Sequence, residues 1–133
     1  MPVTIEKLPD EPIIVATIIG HFDVGMAREI FQKSADLAQG MVGHYYRVTD
    51  ARQMDIGFGE MMRVIEEASR GEPGSTRDHS VSVVLVGTND MLKLFSDMMK
   101  LRQYGATATP IFKSMEEALS HIRADRARRK SSG

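Results

Sequence analysis

Residues 13–23 read Ile-Ile-Val-Ala-Thr-Ile-Ile-Gly-His-Phe-Asp, and this stretch carries the clearest fold information in the chain. The β-branched, apolar run over residues 13–19 is typical of a buried strand. Gly20 follows the run, and Asp23 is a natural N-cap for a helix over residues 24–39, where apolar side chains recur on one face. The stretch therefore predicts a buried strand that leads directly into an amphipathic helix.

Outward from this stretch, strands and helices alternate. The patterns predict further strands over residues 3–8, 44–49, 80–86 and 109–112, and helices that begin near Phe58, Met91 and Ser114. The turn at residues 9–12 is too short for a crossover, so the first two strands form an antiparallel hairpin. The remaining connections contain helices and imply parallel strands. We expect one α/β domain over residues 1–122, with the order ββαβαβαβα and a mixed, mostly parallel five-stranded sheet with four helices.

The C-terminal residues 123–133 are basic and then rich in Ser and Gly, which predicts a frayed helix end and a disordered tail. Over the whole 133-residue chain, the net charge is −1 and there is no cysteine. These values predict no nucleic-acid partner, and they exclude disulfides and thiol catalysis. Because we find no signal peptide and no apolar run long enough to span a membrane, we expect a cytoplasmic protein. The scattered histidines lack metal-binding spacing, so no metal or cofactor is predicted.

The element order resembles the STAS fold, typified by bacterial anti-sigma-factor antagonists. In that family the second strand often ends in a Gly-x-hydrophobic-Asp run, which here is Gly20-His21-Phe22-Asp23. The Val48-Thr49-Asp50 segment lies where the family places an apolar strand ending in Asp, and residues 81–87 match the central strand. The looser bacterial SpoIIAA-like group, related to the lipid-binding SEC14 domain, is at least as similar. The resemblance covers residues 3–123.

One departure changes the function that this resemblance implies. The antagonists carry a phosphorylatable serine at the start of the second helix, whereas this chain has no Ser, Thr or Tyr between Asp50 and Phe58. Regulation by phosphorylation at that position is therefore excluded. The fold inference rests on other residues and is unaffected.

Residues 50–59 are nevertheless the first candidate site, because ligands gather at the carboxyl ends of parallel strands. The candidate ligand- or partner-binding residues in this predicted loop are Asp50, Arg52, Asp55, Gly57 and Gly59. The competing interpretation is structural: the glycines supply turns and Asp55 caps the helix. Thr88 and Asn89 follow the fourth strand and are candidates for the same edge, although capping of the third helix explains them better.

Three functions remain open at this point. The leading hypothesis is a non-catalytic interaction module that binds a protein partner or a second copy, through a surface containing Met61, Met62, Met98 and Met99. The first alternative is a small-molecule or lipid-binding domain with an apolar pocket between the sheet and a mobile helix. The second is an enzyme that uses carboxylates at the strand ends (Asp50, Asp55 or Asp90) or His21. It requires at least two of these side chains within hydrogen-bonding reach in one cleft. A homodimer formed along the exposed first strand is also expected.

Overall fold

The structure is a computed structural model and describes residues 3–132. Its elements follow the predicted order: β1 Val3–Lys7, β2 Ile13–His21, α1 Val24–Ala38, β3 Tyr45–Asp55, α2 Phe58–Ala68, β4 Val81–Val86, α3 Asp90–Met99, β5 Ile111–Phe112 and α4 Met115–Ser132. A 3-10 turn, Arg102–Tyr104, follows α3. Asp23 caps α1 as predicted, since its Oδ1 accepts a hydrogen bond from the Met26 N–H at 2.9 Å.

The five strands form one sheet in the order β1-β2-β3-β4-β5. The β1–β2 pair is antiparallel, whereas the β2–β3, β3–β4 and β4–β5 pairs are parallel. The predicted mixed, mostly parallel five-stranded sheet with four helices is confirmed. The cause is visible in the connections, because only the β1–β2 link lacks a helix.

Apolar side chains pack on both faces of the sheet. The larger core lies between the sheet and helices α1, α2 and α3, and the smaller one lies under α4. Successive side chains of a strand point to opposite faces, so neighbouring residues of β3 enter different cores. Tyr46 packs under α4, whereas Arg47 lies on the α1–α3 side.

Strand β3 is longer than predicted and continues through Asp55. The predicted loop at residues 50–59 is therefore wrong for residues 50–55. A bulge explains the misleading pattern: Thr17 pairs with Asp50 but Ile19 pairs with Gln53, so β3 contains one extra residue at this point. The polar, exposed residues after the bulge lack the alternation expected of a strand.

Helix α4 is also longer than predicted, because it continues from residue 122 through Ser132. The predicted disordered tail is wrong for this segment, and Gly133 lies outside the described residues. Contacts hold the helix to the domain: the Arg123 guanidinium donates to both oxygens of Glu11 at 3.0 Å, and Tyr46 donates to Asp125. Across residues 3–132, neither α4 nor any other helix combines the length and apolarity needed to cross a membrane.

Candidate functional site

Asp50 and Arg52 form a fork-shaped ion pair at the bulge in the second half of β3. Arg52 Nε donates to Asp50 Oδ1 at 2.9 Å, and Nη2 donates to Oδ2 at 2.8 Å. These hydrogen bonds hold the pKa of the Asp50 carboxyl below its usual value against the opposing effect of burial. Asp50 Oδ1 also accepts from the Arg52 backbone N–H at 3.2 Å, so the pair fixes the bulge.

The start of α2 contains Gly57 and Gly59 and has no side-chain cap. Gly57 occupies the N-cap position, so the predicted capping role of Asp55 is wrong. Asp55 is exposed at the end of β3, and its carbonyl accepts a hydrogen bond from the Phe22 N–H at 2.9 Å. Phe58, the first residue of α2, is 63% exposed. The helix therefore begins with uncapped backbone and an apolar aromatic side chain in solvent.

The start of α3 is capped in the way that the structural interpretation predicted. Asn89 Oδ1 accepts a hydrogen bond from the Met91 N–H at 2.7 Å, and its Nδ2 donates to the Met54 carbonyl at 3.3 Å. Asn89 thus ties α3 to β3. Thr88 is exposed beside it.

The candidate residues lie on both faces of the sheet. Asp50 pairs across the sheet with Val86, which belongs to the core under α4, whereas the starts of α2 and α3 belong to the opposite face. Within residues 3–130, no hydrogen bond or ion pair connects His21, Asp50, Asp55 or Asp90 to another of these residues. His21 and Asp55 are nevertheless register partners on the adjacent strands β2 and β3, whereas Asp50 is paired with Arg52.

The predicted methionine surface is also wrong in part. Met61 and Met99 are 2% and 0% exposed and belong to the core between the sheet and helices α1–α3. Met62 and Met98 are half-buried and pack against the same core. Helical spacing gave these residues one apolar face, and that face points inward.

A cavity of about 50 Å³ lies within the larger core, between the sheet and helices α1, α2 and α3. Its walls are mostly apolar side chains from the sheet and the three helices, including Ile18, Ile30, Met54, Met61, Leu85 and Phe95. Three polar residues also line it: Arg47, Thr49 and Thr76. This position agrees with the apolar pocket that the ligand-binding alternative predicted.

Arg47 is the functional candidate that the sequence interpretation missed. Its side chain is fully buried, and both of its hydrogen bonds use Nη1, which donates to the Gly74 carbonyl and to Ser34 Oγ at 3.2 Å. The guanidinium carbon lies 5.2 Å from the centre of the Phe31 ring. Nε has no hydrogen-bond partner among the described residues. Burial lowers the pKa of Arg47 to about 10, so the side chain remains a cation at neutral pH.

A charged residue inside an apolar strand was the signal that could have identified this position. Arg47 lies between Tyr46 and Val48 in a segment that we predicted to be a buried strand. Charged side chains are rarely buried without a partner of opposite charge. The pattern indicated a special position, but it did not indicate which groups surround it.

Comparison with known proteins identifies the fold. No protein-family model matches the chain, and no curated protein matches its sequence. Among solved structures, an uncharacterised DUF3478-family protein from Shewanella loihica PV-4 with a SpoIIAA-like fold superposes with a TM-score of 0.57, at 10% identity over 89% of this chain and 90% of that chain. This chain has the SpoIIAA-like (STAS) fold.

Two anti-sigma factor antagonists have the same SpoIIAA-like fold. Unphosphorylated SpoIIAA superposes with a TM-score of 0.56, at 18% identity over 91% of this chain and 97% of that chain. An antagonist from Mycobacterium paratuberculosis also has a TM-score of 0.56, at 13% identity over 91% and 92% of the two chains. At these identities the likeness establishes the fold and leaves the function to be argued from the residues.

Proposed function

We propose that this SpoIIAA-like protein is a regulatory, non-catalytic binding module that docks a protein partner through the start of α2. Two of its structural neighbours are anti-sigma factor antagonists, a name that describes action on another protein. The absence of cysteine agrees with work in a reducing compartment, and we place the module in the cytoplasm.

The exposure of Phe58 carries this proposal. Phe58 is 63% exposed at the first position of α2, between the exposed residues Gly57 and Gly59. Aromatic side chains are enriched among the residues that dominate binding energy at protein interfaces. Thr88 is exposed at the start of the neighbouring helix α3 and would contribute to the polar rim.

The chemistry of this position differs from that of a phosphorylation switch. The resemblance to the antagonists implies a regulatory serine near the start of the second helix, where a phosphate adds negative charge. The residues at this junction are instead Gly57, Phe58 and Gly59. Docking would therefore depend on burial of an aromatic ring, and its strength would depend only weakly on salt.

A matched pair of variants tests the proposal. Phe58→Ala should weaken partner capture at least tenfold, because an aromatic anchor typically contributes more than about 2 kcal/mol. The control is Val42→Ala. Val42 is 100% exposed and lies between α1 and β3, at the amino-terminal end of β3, whereas Phe58 follows the carboxyl end of the same strand. Affinity purification from the native cell would identify the partner, and calorimetry with the purified partner would measure both variants. Equal binding by Phe58→Ala and the wild type would contradict the proposal.

Self-association is a separate outcome of the same test. Strand β1 is the first strand of the sheet and has one neighbour, β2, so its outer edge is available for pairing with another chain. Light scattering would report a dimer of the wild type. A dimer that persists in Phe58→Ala would show that self-association does not depend on Phe58, as expected for pairing along the β1 edge.

Small-ligand binding is the second candidate function. The observation that favours it is the cavity lined by Arg47, which is independent of the α2 surface.

A further inference from the structure

Strand β4 has a neighbour along only part of its outer edge. On its inner edge all six residues of β4 pair with β3, whereas β5 pairs only with Leu85 and Val86. The Leu85 N–H donates to the Pro110 carbonyl at 2.9 Å, and this is the first hydrogen bond of the β4–β5 side. Within residues 3–132, no strand lies outside the first half of β4.

Proline explains why the β4–β5 ladder stops at Leu85. Two residues earlier, the Val83 carbonyl would need a donor from residue 110, and Pro110 has no N–H. Alternate residues of a parallel strand direct their backbone groups to the same side, so the Val83 N–H faces the same edge as that of Leu85. In the described part of the chain, no backbone hydrogen bond joins Val83 to residues 106–110, which precede β5. Val83 therefore presents a donor and an acceptor at an open sheet edge.

A groove of about 330 Å³ lies at this open edge. Three successive β4 residues, Ser82, Val83 and Val84, line it together with Ala108 and Pro110 of the segment before β5. The groove thus occupies the place in which a longer β5 would lie. Because a strand rises by about 3.3 Å per residue, the groove matches an extended segment of about three residues.

The charged groups around the groove favour an acidic occupant. Lys100 and Arg129 both line it, and Asp125 supplies the one carboxylate among its lining residues in the described chain. That carboxylate already accepts hydrogen bonds from Tyr46, Arg128 and Arg129, at distances of 2.7, 3.0 and 3.0 Å. An incoming carboxylate would therefore meet a surplus of positive charge.

We propose that the groove binds an extended, acidic segment of the protein partner, which pairs with the outer edge of β4 as an additional strand. The backbone groups of Val83 supply affinity for an extended chain, and Lys100 and Arg129 select an acidic side chain. This inference rests on the docking function proposed above and adds a second contact to it. Phe58 does not line the groove, so the two contacts can be tested separately.

The first experiment uses the wild-type protein and a blocked peptide with the sequence Thr-Val-Glu-Val-Thr. In ¹H–¹⁵N NMR spectra, titration with this peptide should shift the Val83 amide resonance saturably, because the N–H gains an acceptor. The same peptide with methylated backbone nitrogens should bind at least about tenfold more weakly, since it loses the donors of a strand. No shift at Val83, or equal binding by the methylated peptide, would overturn strand addition.

A peptide with lysine in place of glutamate tests the acidic preference. It should bind roughly threefold to tenfold more weakly than the glutamate peptide, because Lys100 and Arg129 then repel it. Equal binding of the two peptides would contradict the role of these cations.

The second experiment blocks the groove. Ala108 is exposed and lines it, so Ala108→Trp should weaken binding of the glutamate peptide at least about tenfold. Ala124→Trp, at an exposed position of α4 outside the groove, should bind this peptide like the wild type. Unchanged binding by Ala108→Trp would show that the peptide lies elsewhere and would refute the site. A wild-type dimer that dissociates in Ala108→Trp would assign the groove to a second copy and refute the partner segment.

Phe58→Ala separates this inference from the proposed docking surface. The variant should bind the glutamate peptide like the wild type, because Phe58 is outside the groove. Peptide binding that is retained while Phe58→Ala still captures the partner normally would refute docking through α2 and leave the β4 edge supported. Loss of peptide binding in Phe58→Ala would contradict the position assigned to the peptide.

Discussion

Tyr46 and Arg47 are neighbours on β3, but their polar groups have different kinds of hydrogen-bond partner on the two faces of the sheet. On the α4 side, the Tyr46 hydroxyl donates to Asp125 Oδ2 at 2.7 Å, and Arg128 and Arg129 donate to the same carboxylate at 3.0 Å. On the α1–α3 side, the Arg47 cation donates to two uncharged acceptors through Nη1, and its buried Nε has no hydrogen-bond partner among the described residues. The chain thus completes a charged network on one face and leaves a buried cation beside a cavity on the other.

The largest predicted effect concerns the segment that holds Arg47. Gly74 supplies the carbonyl acceptor and has φ +81°, and a Cβ there would lie 2.0 Å from the Phe31 carbonyl oxygen. Gly74→Ala should therefore lower the free energy of unfolding by about 3 kcal/mol or more. Gly71→Ala is the matched control: its φ is +76°, but the nearest atom to an added Cβ is Arg77 Cδ at 4.0 Å. Gly71→Ala should lower the free energy of unfolding by about 1–2 kcal/mol, because only the left-handed backbone conformation disfavours alanine there.

Urea denaturation of both glycine variants would measure this difference. Equal losses would show that the segment can move away from Phe31 at little cost. In that case the acceptor for Arg47 would not be fixed by the fold, and the contrast between the two faces would be weaker.

An intermediate effect is expected from two adjacent tyrosines. Tyr46→Phe removes the hydroxyl that donates to Asp125 and should cost about 1–2 kcal/mol, because the acceptor is charged. Tyr45→Phe removes a buried hydroxyl with no hydrogen-bond partner among the described residues. It should leave the free energy of unfolding within about 0.5 kcal/mol of the wild type or raise it slightly. Thermal denaturation would compare the stability of the two variants. An equal loss of stability in both would contradict the conclusion that the hydrogen-bond network is complete on the α4 side.

Much of the fold could be predicted from the sequence because its signals are local. The apolar run of β2, the Asp23 cap and the periodicity of α2 each depend on residues close in the chain. The failures occurred where local signals were weak. The end of β3 is polar and interrupted by a bulge, and the end of α4 has no apolar stripe of its own. Arg123 and Asp125 are held by Glu11 and Tyr46, which are distant in sequence.

The candidate site was less predictable than the fold for the same physical reason. The capping role of Asn89 follows from its position before a helix and was predicted. The state of Arg47 depends on Gly74 and Ser34, which reach it from a loop and from α1, and on a cavity formed by three strands and three helices. Periodicity indicates that a side chain is buried, but it does not reveal whether its charge is compensated.

The smallest predicted effect is the pH dependence of the α4 network. Partial burial would raise the pKa of the Asp125 carboxyl, but hydrogen bonds from Tyr46, Arg129 and Arg128 outweigh it and lower the pKa to about 2. In the unfolded chain the pKa of this carboxyl is about 3.9. The unfolded chain therefore takes up the proton first as the pH falls. The stabilisation is fully present above about pH 4 and is lost as the pH approaches 2.

Asp125→Asn tests this linkage on the α4 side of the sheet. Because the Asp125 side chain is 27% exposed, we expect the wild type to lose only about 1 kcal/mol relative to Asp125→Asn between pH 4 and pH 2. Urea denaturation across this range would measure the difference. Asp97→Asn, at an exposed position of α3, controls for the change in net charge and should follow the wild type. Parallel profiles for Asp125→Asn and the wild type would show that the carboxylate is not specifically stabilised, and the α4 side would then resemble the incomplete side around Arg47.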